Sequence, residues 1–218
     1  MRCGTVPNHR SCSQTFIQTN HDLVLHVPET QGNYELFFWK FNTNNNIIKL
    51  NGGKTTLFPK YKDRVKFFQQ NFSLILKNVK LNDSGLYSAV KSDEEDETLV
   101  MFDVTVEAPV SAVCLRLDSV SSSSDSCNFT VICQTELFSL SRSFTCDTPG
   151  CEEPRPQHSG HAHSSPSLNL TMSNTSIICN HSNHVSWTHA VLDYREECEK
   201  DGEEAKAPAV STDERMKN

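Results

Sequence analysis

The sequence predicts an all-β protein built from two tandem β-sandwiches. Short runs of aromatic and β-branched residues alternate with clusters of Asn, Asp, Gly and Ser, which is typical of strands joined by turns. The length of 218 residues is enough for two domains of about 100 residues each. We place the domains at residues 16–107 and 108–198. They lie between an N-terminal segment, residues 1–15, that fits neither domain, and a charged tail, residues 199–218, that is predicted to be disordered.

The cysteines and the glycosylation motifs predict an oxidising compartment. Residues 13–113 contain none of the nine cysteines and residues 114–198 contain seven, a density typical of secreted or lumenal proteins. Six Asn-x-Ser/Thr sequons agree with that location. N-glycosylation is expected at Asn71, Asn128, Asn169, Asn174 and Asn180. The net charge of −7 disfavours nucleic acid or an anionic membrane surface as a partner.

Neither end of the chain has the sequence pattern of a membrane signal. Residues 1–13 lack the apolar core of a signal peptide, and no run of about 18 apolar residues occurs. The C-terminal end has no apolar tail that a lipid anchor would replace. We therefore expect the ectodomain of a cell-surface protein, attached to the membrane through a segment absent from this chain. If the chain is complete, the protein is secreted.

Hydrophobic runs in the first domain predict its strands. Besides the segment described next, these runs cover residues 22–27, 34–41, 46–50, 64–67, 72–76 and 98–106. Side chains alternate between the two faces of a strand. Alternation along residues 34–41 directs three aromatic side chains to the core, those of Phe37, Trp39 and Phe41. The opposite face then has Leu36, Phe38 and Lys40.

The segment Asp83-Ser84-Gly85-Leu86-Tyr87-Ser88-Ala89 is typical of the tyrosine corner of an immunoglobulin-type sandwich. In that motif the tyrosine precedes a cysteine of the intersheet disulfide by two residues, and its hydroxyl bonds to the backbone of the corner. Ala89 occupies the cysteine position. Trp39 follows Leu25 by fourteen residues, close to the usual spacing between the other half-cystine and the core tryptophan. The pair Leu25 and Ala89 therefore predicts that apolar packing alone holds the two sheets together.

Five consecutive acids, residues 93–97, connect the last two predicted strands. A run of this kind is commonly a solvated loop. It can also be an acidic recognition tip, since loops on a rigid sandwich often carry binding. The sequence leaves both interpretations open for Glu94, Glu95 and Asp96.

Two cysteines of the second domain share one strand face. Cys127 and Cys133 are six residues apart, and an even spacing puts both side chains on the same side of a strand. Each therefore needs its own partner further along the chain. Cys146 and Cys151 are close enough for a local bridge. Cys114 is then unpaired, or paired with Cys3 or Cys12.

Together with Trp39, Arg64 and the Asp83-to-Ala89 motif, the cysteines Cys127, Cys133, Cys179 and Cys198 carry a family resemblance. The chain resembles the signalling lymphocyte activation molecule (SLAM) family of leukocyte receptors over residues 16–198, and residues 177–187 look most like its fish members. The resemblance implies a V-type immunoglobulin-like domain without a disulfide, then a C2-type domain with two. It implies the pairs Cys133–Cys179 and Cys127–Cys198 and a salt bridge between Arg64 and Asp83. In the second domain Phe144 substitutes for the usual strand C tryptophan.

The resemblance implies an adhesion or co-stimulatory receptor that binds itself or a related family member. In this family the partner contacts the exposed side of the sheet that contains strands G, F, C and C′. Residues expected there are Phe38, Lys40, Lys49, Ser88, Val90, Glu94, Glu95 and Asp96. With lysines at one end and acids at the other, two such faces are predicted to dock head to head. The alternative is a soluble, secreted decoy or ligand-binder of the same fold.

No sequence motif predicts an enzyme or a cofactor. The chain lacks a glycine-rich phosphate loop, a nucleophile elbow and a His-Glu-x-x-His pattern. The strongest rival is a zinc site, because Cys and His are the ligand types that zinc prefers. Its candidate ligands are Cys146, Cys151, His158, His161 and His163. A Cys146–Cys151 disulfide is the favoured interpretation, because the histidines lie in a segment rich in Pro and Ser.

Overall fold

The computed structural model describes residues 12–28, 34–123, 126–147, 150–152, 165–173, 175–198, 209–210 and 213–216. The chain divides into two compact units, Met1–Ala108 and Pro109–Asn218.

The first unit is a sandwich of a six-stranded and a three-stranded sheet. Its strands are β1 (Cys12–Gln18), β2 (Leu23–Leu25), β3 (Leu36–Phe41), β4 (Asn45–Asn51), β5 (Lys54–Leu57), β6 (Val65–Phe68), β7 (Ser73–Leu76), β8 (Gly85–Ser92) and β9 (Asp96–Glu107). Short 3₁₀ helices span Pro59–Tyr61 and Leu81–Asp83. The larger sheet has the order β1-β9-β8-β3-β4-β5 and the smaller one β2-β7-β6. β1 pairs with β9 in parallel, and the other pairs are antiparallel.

Each predicted segment of the first domain overlaps a strand, and two strands are additional. β1 lies at one edge of the larger sheet and β5 at the other. Neither has a fully buried residue, so neither shows the apolar alternation from which strands are predicted. β5 follows β4 through Gly52 and Gly53, with φ angles of 54° and 78°. A two-residue hairpin turn with two positive φ angles favours glycine at both positions.

The core of the first unit confirms the predicted alternation along β3. Phe37 and Trp39 are fully buried, Phe41 nearly so, and the residues between them are half-buried. The Trp39 indole Nε1 donates to the carbonyl oxygen of Phe72 at 2.8 Å. Leu25 on β2 and Ala89 on β8 are buried in this same core, one from each sheet. Apolar side chains therefore occupy both positions where half-cystines were predicted to be missing.

The tyrosine corner has the predicted hydrogen bond. The Tyr87 hydroxyl donates to the carbonyl oxygen of Asp83 at 2.7 Å, and burial raises the pKa of that hydroxyl. Arg64 binds the Asp83 carboxylate through two nitrogens, with Nη1 at 3.2 Å from Oδ1 and Nη2 bonded to Oδ2. The hydrogen bond to Asp83 raises the pKa of Arg64, so its guanidinium stays charged. Together these bonds fix the connection between β7 and β8.

The second unit is also a two-sheet sandwich. Its elements are β10 (Cys114–Ser122), β11 (Ser126–Gln134), β12 (Ser139–Asp147), β13 (Gly150–Glu152), β14 (Ser167–Ser173), β15 (Ser176–Ser182), β16 (Ser186–Asp193), α1 (Arg195–Cys198), β17 (Ala209–Val210) and β18 (Asp213–Met216). One sheet has the order β13-β12-β11-β10-β17 and the other β14-β15-β16-β18. β17 and β18 lie in the segment that the sequence predicts to be disordered. β17 pairs with β10, and β18 pairs with β16. The unpaired backbone N–H and C=O groups of an edge strand can bond to another strand whatever the side chains of that strand are.

The position of Phe144 differs from the expectation. Phe144 is buried and packs on Phe129, with ring centroids 5.6 Å apart. However, β12 pairs with β11 in the same sheet, whereas strand C of an immunoglobulin sandwich belongs to the sheet opposite strand B. Only four residues connect β11 to β12, and within them the Thr135 hydroxyl accepts hydrogen bonds from the backbone N–H groups of Leu137 and Phe138. So short a turn keeps consecutive strands adjacent.

The second unit contains the three disulfides that were expected. Cys133–Cys179 joins β11 to β15 across the two sheets, Cys127–Cys198 joins β11 to α1, and Cys146–Cys151 is local. Cys127 and Cys133 are both buried, as a shared strand face requires. Cys114 is a free thiol.

Cys12, on β1 of the first unit, is also disulfide-bonded. It lies outside residues 16–107, the range that was predicted to fold without a covalent link. Cys3 lies outside the described residues. Because residues 13–113 contain no cysteine, none of the strands β2 to β9 is held by a disulfide.

Candidate binding face

Phe38 lies at the centre of the outer face, which is the side of the β1-β9-β8-β3-β4-β5 sheet that points away from the core. It is half-buried on β3, opposite Lys49 on β4 and Val90 on β8. The Nζ atoms of Lys40 and Lys49 lie 5.3 and 5.7 Å from the centroid of its ring. Each ammonium group is attracted by the electrons of the ring face. The outer face therefore presents one aromatic side chain with two positive charges beside it.

Two lysines of this region, Lys40 and Lys91, are paired within the domain, which corrects the prediction of separate basic and acidic ends. Lys40 Nζ is 3.1 Å from Asp96 Oδ2, and Lys91 Nζ is 2.9 Å from Glu97 Oε2. A hydrogen bond from Ser92 and the bond from Lys40 lower the pKa of Asp96. These pairs form because the loop of the hairpin is short. β8 ends at Ser92 and β9 begins at Asp96, so Asp96 and Glu97 belong to the strand and not to the loop.

Three residues remain at the tip of this hairpin, Asp93, Glu94 and Glu95. All three are exposed. Asp93 is 4.0 Å from Lys91, the limit of an ion pair. Glu94 and Glu95 have no ion pair with any residue that the structure describes. The uncompensated negative charge of the acidic run is therefore concentrated in two side chains.

Ser88 and Val90 are on the outer face but are buried, with 7% and 4% of their surface exposed. Ser88 lies between Lys40 and Met101 in the sheet, and Val90 lies between Phe38 and Thr98. The neighbouring side chains of Lys40, Met101 and Phe38 are longer than those of Ser88 and Val90, which explains why the two are buried. The prediction that they contact a partner directly is therefore wrong, and they support the residues above them.

Met101 is a residue of this face that was not among the predicted ones. It lies opposite Ser88 and is buried, yet it is not part of the core between the sheets. A bulge in β9 puts Val90 opposite Thr98 and Ala89 opposite Val100. The extra residue reverses the facing of the side chains that follow it.

The sequon residue Asn71 of the first unit lies away from the outer face, and the other described glycosylation candidates belong to the second unit. Asn71 is exposed in the turn between β6 and β7, where its Oδ1 accepts from the backbone N–H of Ser73 at 3.2 Å. Asn128 and Asn169 are exposed on β11 and β14, and Asn180 is half-buried on β15. Asn174 lies outside the described residues. A glycan at Asn71 would leave the outer face of the first unit uncovered, because β6 and β7 belong to the opposite sheet.

The two cysteines that were candidate zinc ligands are not available to a metal ion. Cys146 and Cys151 are bonded to each other and supply no thiolate. The candidate histidines His158, His161 and His163 lie outside the described residues. Within the described ranges, no three His, Cys, Asp or Glu side chains are grouped so as to hold a metal ion. The same ranges contain no helix with the length and apolarity needed to cross a membrane.

The comparisons with known proteins identify the fold. No protein-family model and no curated protein matches the chain. Murine CEACAM1b aligns with 82% of this chain and 94% of its own, at 18% identity and a TM-score of 0.56. A chain from the complex of a mouse coronavirus receptor-binding domain with its murine receptor aligns over the same shares, at 16% identity and a TM-score of 0.57. The fold is immunoglobulin-like. The chain consists of two tandem sandwiches of this kind.

Another solved structure aligns with the chain at a lower TM-score. The CD2-binding domain of CD58 (lymphocyte function-associated antigen 3) aligns with 84% of this chain and 97% of its own, at 16% identity and a TM-score of 0.48.

Proposed function

We propose that this chain is the ectodomain of an immunoglobulin-superfamily receptor on the surface of leukocytes, which binds a protein partner through the outer face of its first unit. The partner is a second copy of the chain or a related receptor of the SLAM type. The observation that carries the proposal is the position of Phe38, an aromatic side chain half-exposed on a sheet and flanked by charged residues.

Phe38 is suited to be the energetic centre of an interface. Binding energy is commonly concentrated in a few aromatic or arginine side chains surrounded by polar contacts. The ammonium groups of Lys40 and Lys49 lie beside the Phe38 ring, and buried Val90 is its neighbour on the adjacent strand. A side chain that is already ordered loses little conformational freedom on binding.

The charged groups around Phe38 divide into two sets. Lys40–Asp96 and Lys91–Glu97 are satisfied within the domain and keep the hairpin in one position. Among the described residues, the exposed Glu94 and Glu95 have no ion pair and Lys49 has no acid within ion-pair distance. The second set is available to a partner. Two copies related by a two-fold axis can bring each Lys49 to the other's Glu94 and Glu95.

This arrangement predicts a weak and fast interaction. Ion pairs at an interface rim contribute about 0–1 kcal/mol each, and their main effect is on the encounter rate and on the choice of partner. Salt screens such exposed charges. Binding should therefore weaken as the salt concentration rises, with most of the change in the association rate.

The test is the binding of the multimerised chain to leukocytes. Phe38→Ala and the double change Glu94→Lys/Glu95→Lys should each abolish binding, whereas Phe68→Ala and Lys66→Glu on the opposite sheet should not. Phe68 and Lys66 are matched controls because both are exposed on β6. Asp96 is left unchanged, because its reversal would also break the pair with Lys40.

Two results would contradict the proposal. One is unchanged binding by both outer-face variants when their circular dichroism spectra match that of the parent. The other is binding by the parent that is equally strong at about 50 and about 300 mM salt, because screening should weaken a charge-dependent contact.

A further inference from the structure

An aromatic pair lies on the second unit in a position that the proposed function does not use. Trp187 and His189 on β16 stack with ring centroids 5.4 Å apart and an interplanar angle of 23°. Their neighbours Ser186, Thr188 and Ala190 are buried, so alternation directs the two rings away from the core. The Nδ1 atom of His189 is buried and has no hydrogen-bond partner among the described residues.

Two glycosylation acceptors lie in register with this pair. Asn180 on β15 is directly opposite His189, and Asn169 on β14 is directly opposite Asn180. Ser182, the hydroxyl residue of the Asn180 sequon, is directly opposite Trp187. Side chains that face each other on adjacent antiparallel strands have Cβ atoms about 4.5–5.5 Å apart. The first sugar on Asn180 is therefore within reach of both rings.

We propose that Asn180 carries an N-linked glycan whose first N-acetylglucosamine packs on the Trp187–His189 pair. The C–H groups on the apolar side of a sugar ring are slightly positive, and the face of an aromatic ring is negative. This packing gives a reason for a tryptophan on the outer side of a sheet.

The modification is a group transfer from a polyprenyl-pyrophosphate oligosaccharide. The Nδ2 nitrogen of Asn180 forms a bond to the anomeric carbon of the first sugar. The bond between that carbon and the pyrophosphate oxygen breaks, and polyprenyl pyrophosphate leaves. The nitrogen gives up one proton. The inference rests on the extracellular location within the proposed function and is independent of partner binding.

The two tryptophans of the chain allow a direct test. Trp39 is fully buried, so fluorescence quenching by acrylamide reports on Trp187. The full chain is secreted from mammalian cells behind a heterologous signal peptide. Occupancy of Asn180 is measured by peptide-N-glycosidase digestion in heavy-oxygen water followed by mass spectrometry. Ser182→Ala, which leaves Asn180 in place but destroys the sequon, should raise the quenching constant about twofold because the sugar no longer covers the ring. Ser182→Thr should restore the parent value.

The controls separate this glycan from others. Asn128→Gln removes an acceptor on the other sheet of the unit and should leave the quenching constant unchanged. An unoccupied Asn180, or equal quenching of the parent and of Ser182→Ala, would overturn the inference. So would exposure of Trp187 by Asn169→Gln alone, since the covering sugar would then belong to Asn169. Leukocyte binding measured on the same samples tests the proposed function separately, because neither occupancy nor quenching requires the partner.

Discussion

The two units hold their sheets together in different ways. Among the described residues, the first has a core of twenty buried side chains that includes Trp39, Phe37 and Tyr87, with no disulfide between its sheets. The second has a core of twelve, three of which are half-cystines, and Cys133–Cys179 joins its sheets. A disulfide contributes roughly 2–4 kcal/mol, and burial of a large apolar side chain contributes roughly 1.5–3 kcal/mol. The comparison shows that apolar volume can replace a covalent link in one sandwich architecture.

The largest effect is expected from Trp39→Ala in the first unit. The change leaves a cavity in the core and removes the hydrogen bond to the carbonyl of Phe72, so it should cost about 3–5 kcal/mol. That is most of the stability of an ordinary domain. Hydrogen exchange of the full chain should show loss of protection in the first unit and retained protection in the second. A cooperative melt of the first unit near the parent's temperature would show that the core does not depend on Trp39.

The counterpart in the second unit is Cys133→Ala/Cys179→Ala. The two cysteines are 46 residues apart, and opening a loop of that length should cost about 3–4 kcal/mol. Thermal unfolding should show a lower transition for the second unit and no change for the first. Substitution is preferable to a reducing agent here, because Cys12 of the first unit is also disulfide-bonded. An equal loss of stability in both units would contradict the conclusion that only the second unit depends on this disulfide.

A smaller effect is expected from Tyr87→Phe, which removes the hydrogen bond to the Asp83 carbonyl and should cost about 1 kcal/mol. Tyr61→Phe is the matched control. The Tyr61 hydroxyl is buried without a hydrogen-bond partner in the described part of the chain, so its removal should be neutral or stabilising. Urea unfolding of both variants measures the difference. If both substitutions lowered the free energy of unfolding equally, the hydrogen bond of the tyrosine corner would contribute no specific stability.

The smallest effect is expected from Lys40→Met on the outer face, at about 0.2–1 kcal/mol for an exposed ion pair. The pKa of Asp96 is lowered from its ordinary value of 3.8 by Ser92 and then by Lys40, so the fold favours the charged carboxylate. Its contribution is present above that value and is lost as the pH falls through the lowered pKa. Parent and variant should therefore differ at neutral pH and converge in acid. A difference that grows on acidification would contradict the assignment.

Local rules predicted much of the first unit. Alternation identified the buried face of β3, and motif spacing identified the tyrosine corner and the two apolar replacements for cysteine. The bulge in β9 was not predicted, because one extra residue between Thr98 and Val100 reverses the parity and no turn residue marks the position. The burial of Ser88 and Val90 was also missed, since exposure depends on side chains of neighbouring strands that are distant in sequence.

The sequence by itself determined the two-sandwich organisation, the missing intersheet cysteines of the first unit and the facing of Cys127 and Cys133. The first follows from the length and from strand-forming runs separated by turn residues, the second from motif spacing, and the third from alternation along one strand. Only the tertiary structure decided that Lys40 and Lys91 pair with Asp96 and Glu97, and that β12 pairs with β11. Ion pairing and strand pairing depend on which segments meet in space. Short turns, strand registers and bulges determine which residues become neighbours, and the hydrophobic pattern of the strands does not reveal these neighbours.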